Sequence, residues 1–271
     1  MKSRTFKLIA AIMMGLTIYL AVNSPTRTFG QQNISVDRAT QTQILNATVQ
    51  IRLFAPDTSA QPVGNVYPYV MSQGLGSLVR EGENYRIITH NHWSLLDQVD
   101  FVKFYDANFV LLLEMSGTAF KDLILQQDAG TLVLQVPPEI IEKMSAVPGA
   151  FGEASLDDGL KLGAGDQVLV VHQKPGQEDK VEVIPAVIDR RMTFQGLPAF
   201  QLHASDGSAL IPGDSGGGLW FNGYLVGDLW AREEANLNDW SQWNWQDFRP
   251  GVKVLENAYA AQFTMKWSSM Q

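Results

Sequence analysis

The chain has 271 residues, of which 45% are hydrophobic and 18% are charged, with no cysteine and a formal charge of −8. This composition suits one or two compact domains and excludes a wholly disordered chain. The acidic balance, without a run of basic residues, argues against a nucleic-acid partner. The lack of cysteine excludes disulfides, thiol catalysis and thiolate metal sites.

The N-terminus has the layout of an export signal. Lys2, Arg4 and Lys7 precede an almost unbroken apolar stretch at residues 8–22, which is shorter than the roughly 20 residues that a spanning helix needs. We therefore expect residues 1–30 to be a signal peptide or an N-terminal anchor. The protein is then exported, either secreted, periplasmic or at the cell surface, and an uncleaved segment 8–22 would tether it to the membrane.

Short apolar segments of strand length follow the signal. They are rich in Val, Ile, Leu and Phe, and Gly, Asp, Asn or Pro separates several of them. We predict that they form one antiparallel β-barrel within residues 31–138. The predicted strands are residues 48–54, 76–79, 85–89, 99–105, 109–115, 123–127 and 131–136.

A second series of strands predicts a second barrel of similar size. Pro137 and Pro138 open a stretch that is poorer in strand pattern, so we assign residues 139–155 to a crossover and residues 156–250 to the second barrel. Apolar residues three and four apart predict a C-terminal helix and tail over residues 251–271. The second-barrel strands are residues 167–172, 181–188, 199–203, 218–221 and 224–230.

The most informative segment is Gly-Asp-Ser-Gly-Gly at residues 213–217. A serine hydroxyl is a weak nucleophile unless a base removes its proton, and the tetrahedral intermediate needs donors aimed at its oxyanion. The glycines let the backbone turn so that the amides of Gly213 and Ser215 point into one concavity. This string is far more restrictive than an ordinary glycine-rich turn, so we predict that Ser215 is a nucleophile.

A general base has to come from the four histidines of the chain. His92 is best placed, because an apolar strand ends at Thr89 and a short turn can project His92 into a cleft. His90 would point elsewhere and serve a structural role or lie exposed.

The histidine needs an acid that holds its tautomer and stabilises the imidazolium. Asp122 and Asp128 each precede an apolar strand. We prefer Asp128, because Gly130 indicates a tight loop and the next strand leads directly to the crossover. Asp122 stays open as the alternative, and either residue could be an ordinary turn aspartate.

These residues, in the order His, Asp, Ser, resemble the trypsin/chymotrypsin superfamily, and more closely its bacterial trypsin-like branch of HtrA/Deg-type proteases. Residues 74–79 and 87–92 are similar to the family's Gly-x-Gly-Ser strand and its Thr-x-x-His motif, and residues 162–169 resemble its opening strand of the second barrel. The resemblance implies an all-β, chymotrypsin-like fold of two antiparallel six-stranded barrels, with the active site between them. It also implies peptide-bond hydrolysis through an acyl-enzyme, with no metal or organic cofactor.

The sequence departs from the family in several places. No Ile-Val-Gly-Gly-like start is visible, so Asp214 would lack the new N-terminus that binds its counterpart in zymogen-activated members. We expect no PDZ domain. The resemblance places the specificity pocket at Ala209 and Trp230, and the uncharged Ala209 predicts a preference for apolar residues before the scissile bond.

The sequence thus predicts a serine endopeptidase with His92, Asp128 and Ser215 as its triad, acting on a protein or peptide. Two alternatives remain open. One is a catalytically inactive peptide-binding module of the same fold, and the other is an esterase that uses the same serine.

Overall fold

The computed structural model describes residues 37–64, 66–127, 130–174, 177–194, 197–208, 210–211, 213–234 and 255–262. The predicted signal and tether lie outside this range. Within it, no helix combines the length and apolar character needed to cross a membrane. The helices are α1 (Arg38–Asn46), α2 (Gly117–Asp122), α3 (Pro138–Ser145) and α4 (Leu156–Lys161).

Fourteen strands are described, in two sheets. The first sheet contains β1 (Thr48–Pro56), β2 (Tyr69–Glu81), β3 (Asn84–His90), β4 (Phe101–Asp106), β5 (Leu111–Ser116), β6 (Ile124–Gln127) and β7 (Thr131–Gln135). The second contains β8 (Glu153–Ala154), β9 (Gln167–Lys174), β10 (Gln177–Phe194), β11 (Leu197–Ala204), β12 (Gly218–Phe221), β13 (Tyr224–Glu234) and β14 (Leu255–Gln262).

The first sheet has the strand order β5-β4-β1-β2-β3-β7-β6, and every pairing in it is antiparallel. Successive side chains of a strand point to opposite faces. In β1, Ile51 and Leu53 face inward and join a core with Leu78, Ile87 and other fully buried residues. Their neighbours on β1 face outward, so this sheet also has an outer face.

The second sheet has the order β12-β9-β10-β11-β14-β13-β8, and β12 also pairs with β13. Six strands therefore close into a ring, which removes their free edges. The two-residue β8 lies outside the ring and pairs with β13 in parallel. The core of this ring includes Val170, Ile188, Phe200 and Leu219.

The structure corrects two parts of the predicted fold. The first sheet has seven strands, as the apolar segments predicted, rather than the six that the resemblance implied. It is not a closed barrel, since its edge strands β5 and β6 do not pair with each other among the described residues. The predicted C-terminal helix is wrong over residues Leu255–Gln262, which form β14. This strand pairs with β11 and β13 and so satisfies backbone groups on two strands that a helix would have left open.

The two sheets meet through a third apolar cluster, which includes Leu75 and Ile88 of the first sheet and Val171 and Trp220 of the second. A polar contact adds to it on the outer face of β1. The Arg52 guanidinium lies 2.9 Å from the Asp179 carboxylate of β10. The candidate site lies where elements of these two sheets meet.

Candidate active site

His92 lies just beyond the end of a strand of the first sheet. β3 ends at His90, which pairs with Thr131 of β7. Two residues later, His92 Nε2 lies 3.0 Å from the Oγ of Ser215. The His92 side chain is partly exposed, and burial of the remainder lowers its pKa. A lowered pKa keeps the imidazole neutral near neutral pH, which is the form that can accept a proton.

His90 lies directly behind His92. The side chain is 2% exposed, and its ring centroid is 4.1 Å from that of His92 and 4.1 Å from the Trp93 ring, which it stacks on. Neither ring nitrogen of His90 has a hydrogen-bond partner in the described part of the chain. Burial, and then the charge of His92, hold the pKa of His90 well below its ordinary value. His90 is therefore a neutral, buried residue that packs against the candidate base.

Ser215 sits in a loop between β11 and β12 that contacts both sheets through its backbone. The Ser215 carbonyl accepts a hydrogen bond of 2.8 Å from the Leu75 amide of β2, and the Gly216 amide donates one of 2.7 Å to the Leu229 carbonyl of β13. Gly216 has a φ of +84°, and a Cβ there would lie 2.0 Å from the Leu75 carbonyl oxygen. Only glycine fits this position.

The Asp214 carboxylate fixes the same loop from within the protein. Asp214 is 3% exposed. One of its oxygens accepts a hydrogen bond from the Gln173 amide of β9 and the other accepts one from the Ile211 amide, both at 2.6 Å. Backbone amides can hold a carboxylate without any counter-charge. Each of the two carboxylate oxygens of Asp214 is therefore bound by a backbone amide.

Two amides of the loop are those that the sequence predicts for an oxyanion hole. Within the described residues, neither the Gly213 amide nor the Ser215 amide donates a hydrogen bond. Gly213 has a φ of +104°, and a Cβ there would lie 2.5 Å from Gln173 Oε1. The Gln73 side chain donates to the same oxygen at 3.3 Å. Sequence reasoning missed both glutamines, because nothing in their strands marks them as different from other polar residues.

The candidate acids differ in what the structure says of them. Asp128 lies outside the described residues. Asp122 is the last residue of α2, is exposed, and makes no hydrogen bond to His92 among the contacts of the described chain. The described residue next to the Asp128 loop, Gly130, accepts a hydrogen bond of 3.3 Å from the amide of Asn91, beside His92.

A buried carboxylate that the sequence analysis did not consider lies close to the same loop. Asp228 of β13 is 1% exposed, and its Oδ1 accepts a hydrogen bond of 2.8 Å from Thr131 Oγ1 of β7. A hydrogen bond to a carboxylate across two sheets stabilises their relative position. An aspartate inside the apolar run of residues 224–230 was the signal that could have identified it.

The predicted specificity pocket is described only in part, since Ala209 lies outside the described residues. Trp230 is 7% exposed. Its indole Nε1 donates to Asn91 Oδ1 at 3.4 Å, and its ring centroid lies 6.2 Å from that of His92. Trp230 therefore lies against the candidate base.

Known structures share this arrangement of sheets. The chain has the fold of the trypsin-like serine proteases. Among the similar structures, HtrA-type protease AlgW with a tripeptide has a TM-score of 0.51 at 14% identity, covering 82% of this chain and 58% of that chain. AlgW with a decapeptide has a TM-score of 0.50 at 14% identity, covering 80% and 61%.

Rv3671c protease from M. tuberculosis, in its active form, has a TM-score of 0.49 at 15% identity and covers 83% of this chain and 82% of that one. No protein-family model and no curated protein matches the sequence. The likeness to HtrA-type proteases that the sequence suggested is thus confirmed as a distant similarity of fold.

Proposed function

We propose that the protein is a serine endopeptidase that uses Ser215 as nucleophile and His92 as general base. The observation that carries the proposal is the 3.0 Å distance between His92 Nε2 and Ser215 Oγ. That distance is within hydrogen-bond reach, as proton transfer from a serine to its base requires. The amides of Gly213 and Ser215 support it, because they have no partner among the described residues and lie in the same loop.

The reaction follows from these groups. The Ser215 oxygen attacks the peptide carbonyl carbon while its proton passes to His92 Nε2, and the two free amides bind the oxyanion. The C–N bond then breaks, His92 gives its proton to the leaving amine, and an acyl-serine remains. Water, deprotonated by His92, hydrolyses this ester and restores the Ser215 hydroxyl.

Asp128 is proposed as the acid that orients His92. The contact between Gly130 and Asn91 supports this choice, because it ties the chain next to Asp128 to the chain next to His92. Asp122 has no such support, since it is exposed and makes no hydrogen bond to His92 among the described contacts. Replacing the acid of such a triad lowers kcat by about 10⁴-fold, so Asp128→Asn and Asp122→Asn distinguish the two.

The proposal is tested with a fluorophosphonate probe, which reacts only with an activated serine. We expect the wild-type protein to be labelled, and the Ser215→Ala and His92→Ala variants to lose labelling by at least about 10³-fold in rate. Ser208→Ala, which changes a serine away from His92, is the matched control. Labelling that persists in Ser215→Ala would show that another residue reacts.

Substrate panels separate the remaining functions. Cleavage of peptide amides as well as short-chain esters supports an endopeptidase, whereas cleavage of esters alone supports an esterase. A folded wild-type protein that is neither labelled nor active, but binds extended peptides, would be a peptide-binding module of the same fold. The AlgW structures, which were solved with a decapeptide and a tripeptide, agree with a peptide as the ligand class.

A further inference from the structure

A buried histidine lies against the candidate base and takes no part in the reaction described above. His90 is 2% exposed, and its ring centroid lies 4.1 Å from that of His92. Neither ring nitrogen of His90 has a hydrogen-bond partner among the described residues. Burying a polar side chain without such partners costs free energy. A ring that is kept at this cost beside a candidate site calls for an explanation in terms of that site.

The His90 ring is surrounded by other buried groups. It stacks on Trp93, with the ring planes 27° apart, and Trp93 is itself 5% exposed. On β7, Thr131 lies directly opposite His90, and side chains of directly opposite residues in an antiparallel pair lie on the same face of the sheet. Thr131 is 2% exposed and donates to the Asp228 carboxylate of β13 at 2.8 Å. The His90 ring therefore has little freedom to turn.

Strand β2 approaches the same ring closely. A Cβ at Gly74 would lie 2.6 Å from His90 Nε2. It would also lie 2.9 Å from the Ser215 carbonyl oxygen and 2.9 Å from the Trp93 ring. The next residue, Leu75, donates its amide to that carbonyl at 2.8 Å. Two adjacent residues of β2 therefore contact the ring behind the base and the backbone of the nucleophile, and the first of them has to be glycine.

A fixed ring in this place acts on His92 in two ways. It limits rotation of the His92 side chain, whose Nε2 has to stay within reach of Ser215 Oγ, 3.0 Å away. A misplacement of about 1 Å in a reacting group can lower the rate about 10²-fold. It also keeps water from the part of the His92 ring that it covers. Burial is the cause that lowers the pKa of His92.

The charges around His90 leave this role to the shape of the ring. Burial, and after it the charge of His92, hold the pKa of His90 well below its ordinary value. β2 and β7 present glycine and threonine to it, which do not titrate. Two buried carboxylates lie on neighbouring elements, Asp228 of β13 and Asp214 of the Ser215 loop, and the hydrogen bonds that the structure shows for them go to groups other than His90.

We propose that His90 is a positioning residue, whose buried ring holds the His92 ring against Ser215 and shields it from water. This inference rests on the proposed function of Ser215 and His92. Because the ring nitrogens of His90 bind nothing in the described part of the chain, the role belongs to the ring and not to a hydrogen bond. An aromatic replacement should therefore keep the role, and a replacement without a ring should lose it.

The first test measures kcat and KM for a cleaved peptide that is chosen from a peptide library. His90→Phe keeps a ring and should keep kcat within about threefold of wild type. For His90→Ala we expect kcat to fall roughly 10²-fold, with KM changed by less than about twofold. His90→Gln keeps polar atoms without a ring and should lose kcat as His90→Ala does. A His90→Gln variant with wild-type kcat would overturn the inference.

The acid limb of the pH profile of kcat/KM gives a readout that lost stability alone would not move. In His90→Ala, water reaches the His92 ring, so the pKa of His92 should rise towards its ordinary value of 6.5. As the solution is acidified, kcat/KM should then begin to fall at a higher pH than in wild type. His90→Phe should keep the wild-type limb. An unchanged limb in His90→Ala would contradict the shielding of His92.

The matched control is Ile87→Ala. Ile87 lies on the same strand as His90 and is fully buried in the core of the first sheet. Its truncation should lower the free energy of unfolding in urea but leave kcat and the acid limb of the folded protein unchanged. An equal loss of kcat in Ile87→Ala and His90→Ala would assign the loss to destabilisation and overturn the inference.

A second variant covers a failure of His90→Ala to fold. His90→Leu fills much of the space with a flexible side chain that has no ring. We expect it to lower kcat roughly tenfold, because the His92 side chain is then less restricted. A His90→Leu variant with wild-type kcat and a wild-type acid limb would show that no ring is needed.

An NMR titration covers the case in which the wild-type protein neither cleaves peptides nor reacts with the probe. The imidazole signals of the four histidines are assigned by single replacements, and the pKa of His92 is compared between wild type, His90→Phe and His90→Ala. A rise in His90→Ala alone supports the inference even if the proposed function fails. Equal pKa values in all three proteins overturn it. Full activity in His90→Ala would overturn it while leaving the proposed function in place.

Discussion

The two halves of the candidate site are held in different ways. On the first sheet, His92 is supported by packed rings, since His90 packs against it and also stacks on Trp93. On the side of the second sheet, the loop of Ser215 is held by a hydrogen bond from Leu75 to Ser215, by one from Gly216 to Leu229, and by the Asp214 carboxylate. Packing tolerates small changes of shape, whereas a backbone held by directional bonds does not.

This difference predicts different weaknesses. The serine half should lose activity when a side chain is added to the loop or when a neutral group replaces the Asp214 carboxylate, because each hydrogen bond there fixes one backbone position. The free energy of unfolding should fall with pH because of the histidine half, since His90 is buried there in its neutral form. The following predictions test each half separately.

The largest expected effect is that of Gly216→Ala. The new Cβ would lie 2.0 Å from the Leu75 carbonyl oxygen, which is backbone and cannot move aside. We expect the free energy of unfolding to fall by about 4 kcal/mol, as for other substitutions that force backbone apart. Urea denaturation followed by tryptophan fluorescence measures this, and activity should fall with it.

Gly223→Ala is the control for the backbone conformation alone. Gly223 has the same φ of +84°, but a Cβ there meets nothing within 4 Å. Its replacement should cost only about 1–2 kcal/mol. If both variants lost the same free energy of unfolding, the loop would not lie as close to β2 as the structure places it.

The second prediction concerns Asp214→Asn. An asparagine has one acceptor oxygen, and its NH₂ group would face a backbone amide, so one of the two bonds to Gln173 and Ile211 is lost. We expect the loop to release the Gly213 and Ser215 amides from their positions. Losing oxyanion stabilisation of this kind lowers kcat by about 10²- to 10³-fold, which steady-state kinetics on a cleaved peptide would show.

Asp206→Asn is the matched control, because its carboxylate also accepts a backbone amide, from Ser208 at 2.9 Å, but lies on an exposed turn. Its kcat should change less than about twofold. A loss in kcat/KM for Asp214→Asn that came entirely from KM would instead place Asp214 in substrate binding.

Much of the fold could be predicted from short apolar runs with turn residues between them. All twelve predicted strands overlap observed ones. The pattern failed where pairing, not local sequence, decides the structure. β14 is a strand because β11 and β13 lie on either side of it, and a single sequence does not show which edges are open. The first half of β2, residues 69–75, was also missed.

The site was predictable to the extent that its chemistry lies in short motifs. Ser215 and His92 could be chosen as a candidate nucleophile and base because they stand in recognisable motifs, and the structure brings their side chains to within 3.0 Å of each other. Gln173 and Asp228 were missed because their roles depend on contacts between distant strands, such as the bond from Thr131 to Asp228. His90 was expected to be structural or exposed, and the structure shows it buried.

The smallest expected effect is on the histidine half and depends on pH. The folded-state pKa of His90 is well below the ordinary value of 6.5, so the unfolded chain takes up a proton that the folded protein does not as pH falls below 6.5. Stability is therefore full above that pH and falls below it, by up to about 1.4 kcal/mol per pH unit for each such histidine. Burial also lowers the pKa of His92 and His172.

Replacing His90 isolates its share of this pH dependence. His90→Phe keeps a ring in contact with His92 and Trp93, and the nitrogens that it removes have no hydrogen-bond partner in the described structure. We expect little change in the free energy of unfolding at pH 7.5, and a smaller loss than wild type at pH 5.5. The exposed ion pair of His203 with Asp189 contributes under about 1 kcal/mol to the free energy of unfolding. His203→Gln is therefore the control, and its pH dependence should stay close to that of wild type. If the free energy of unfolding of His90→Phe changed with pH as it does in wild type, the ring behind His92 would already be protonated or solvated. Both halves of the site would then depend on hydrogen bonds.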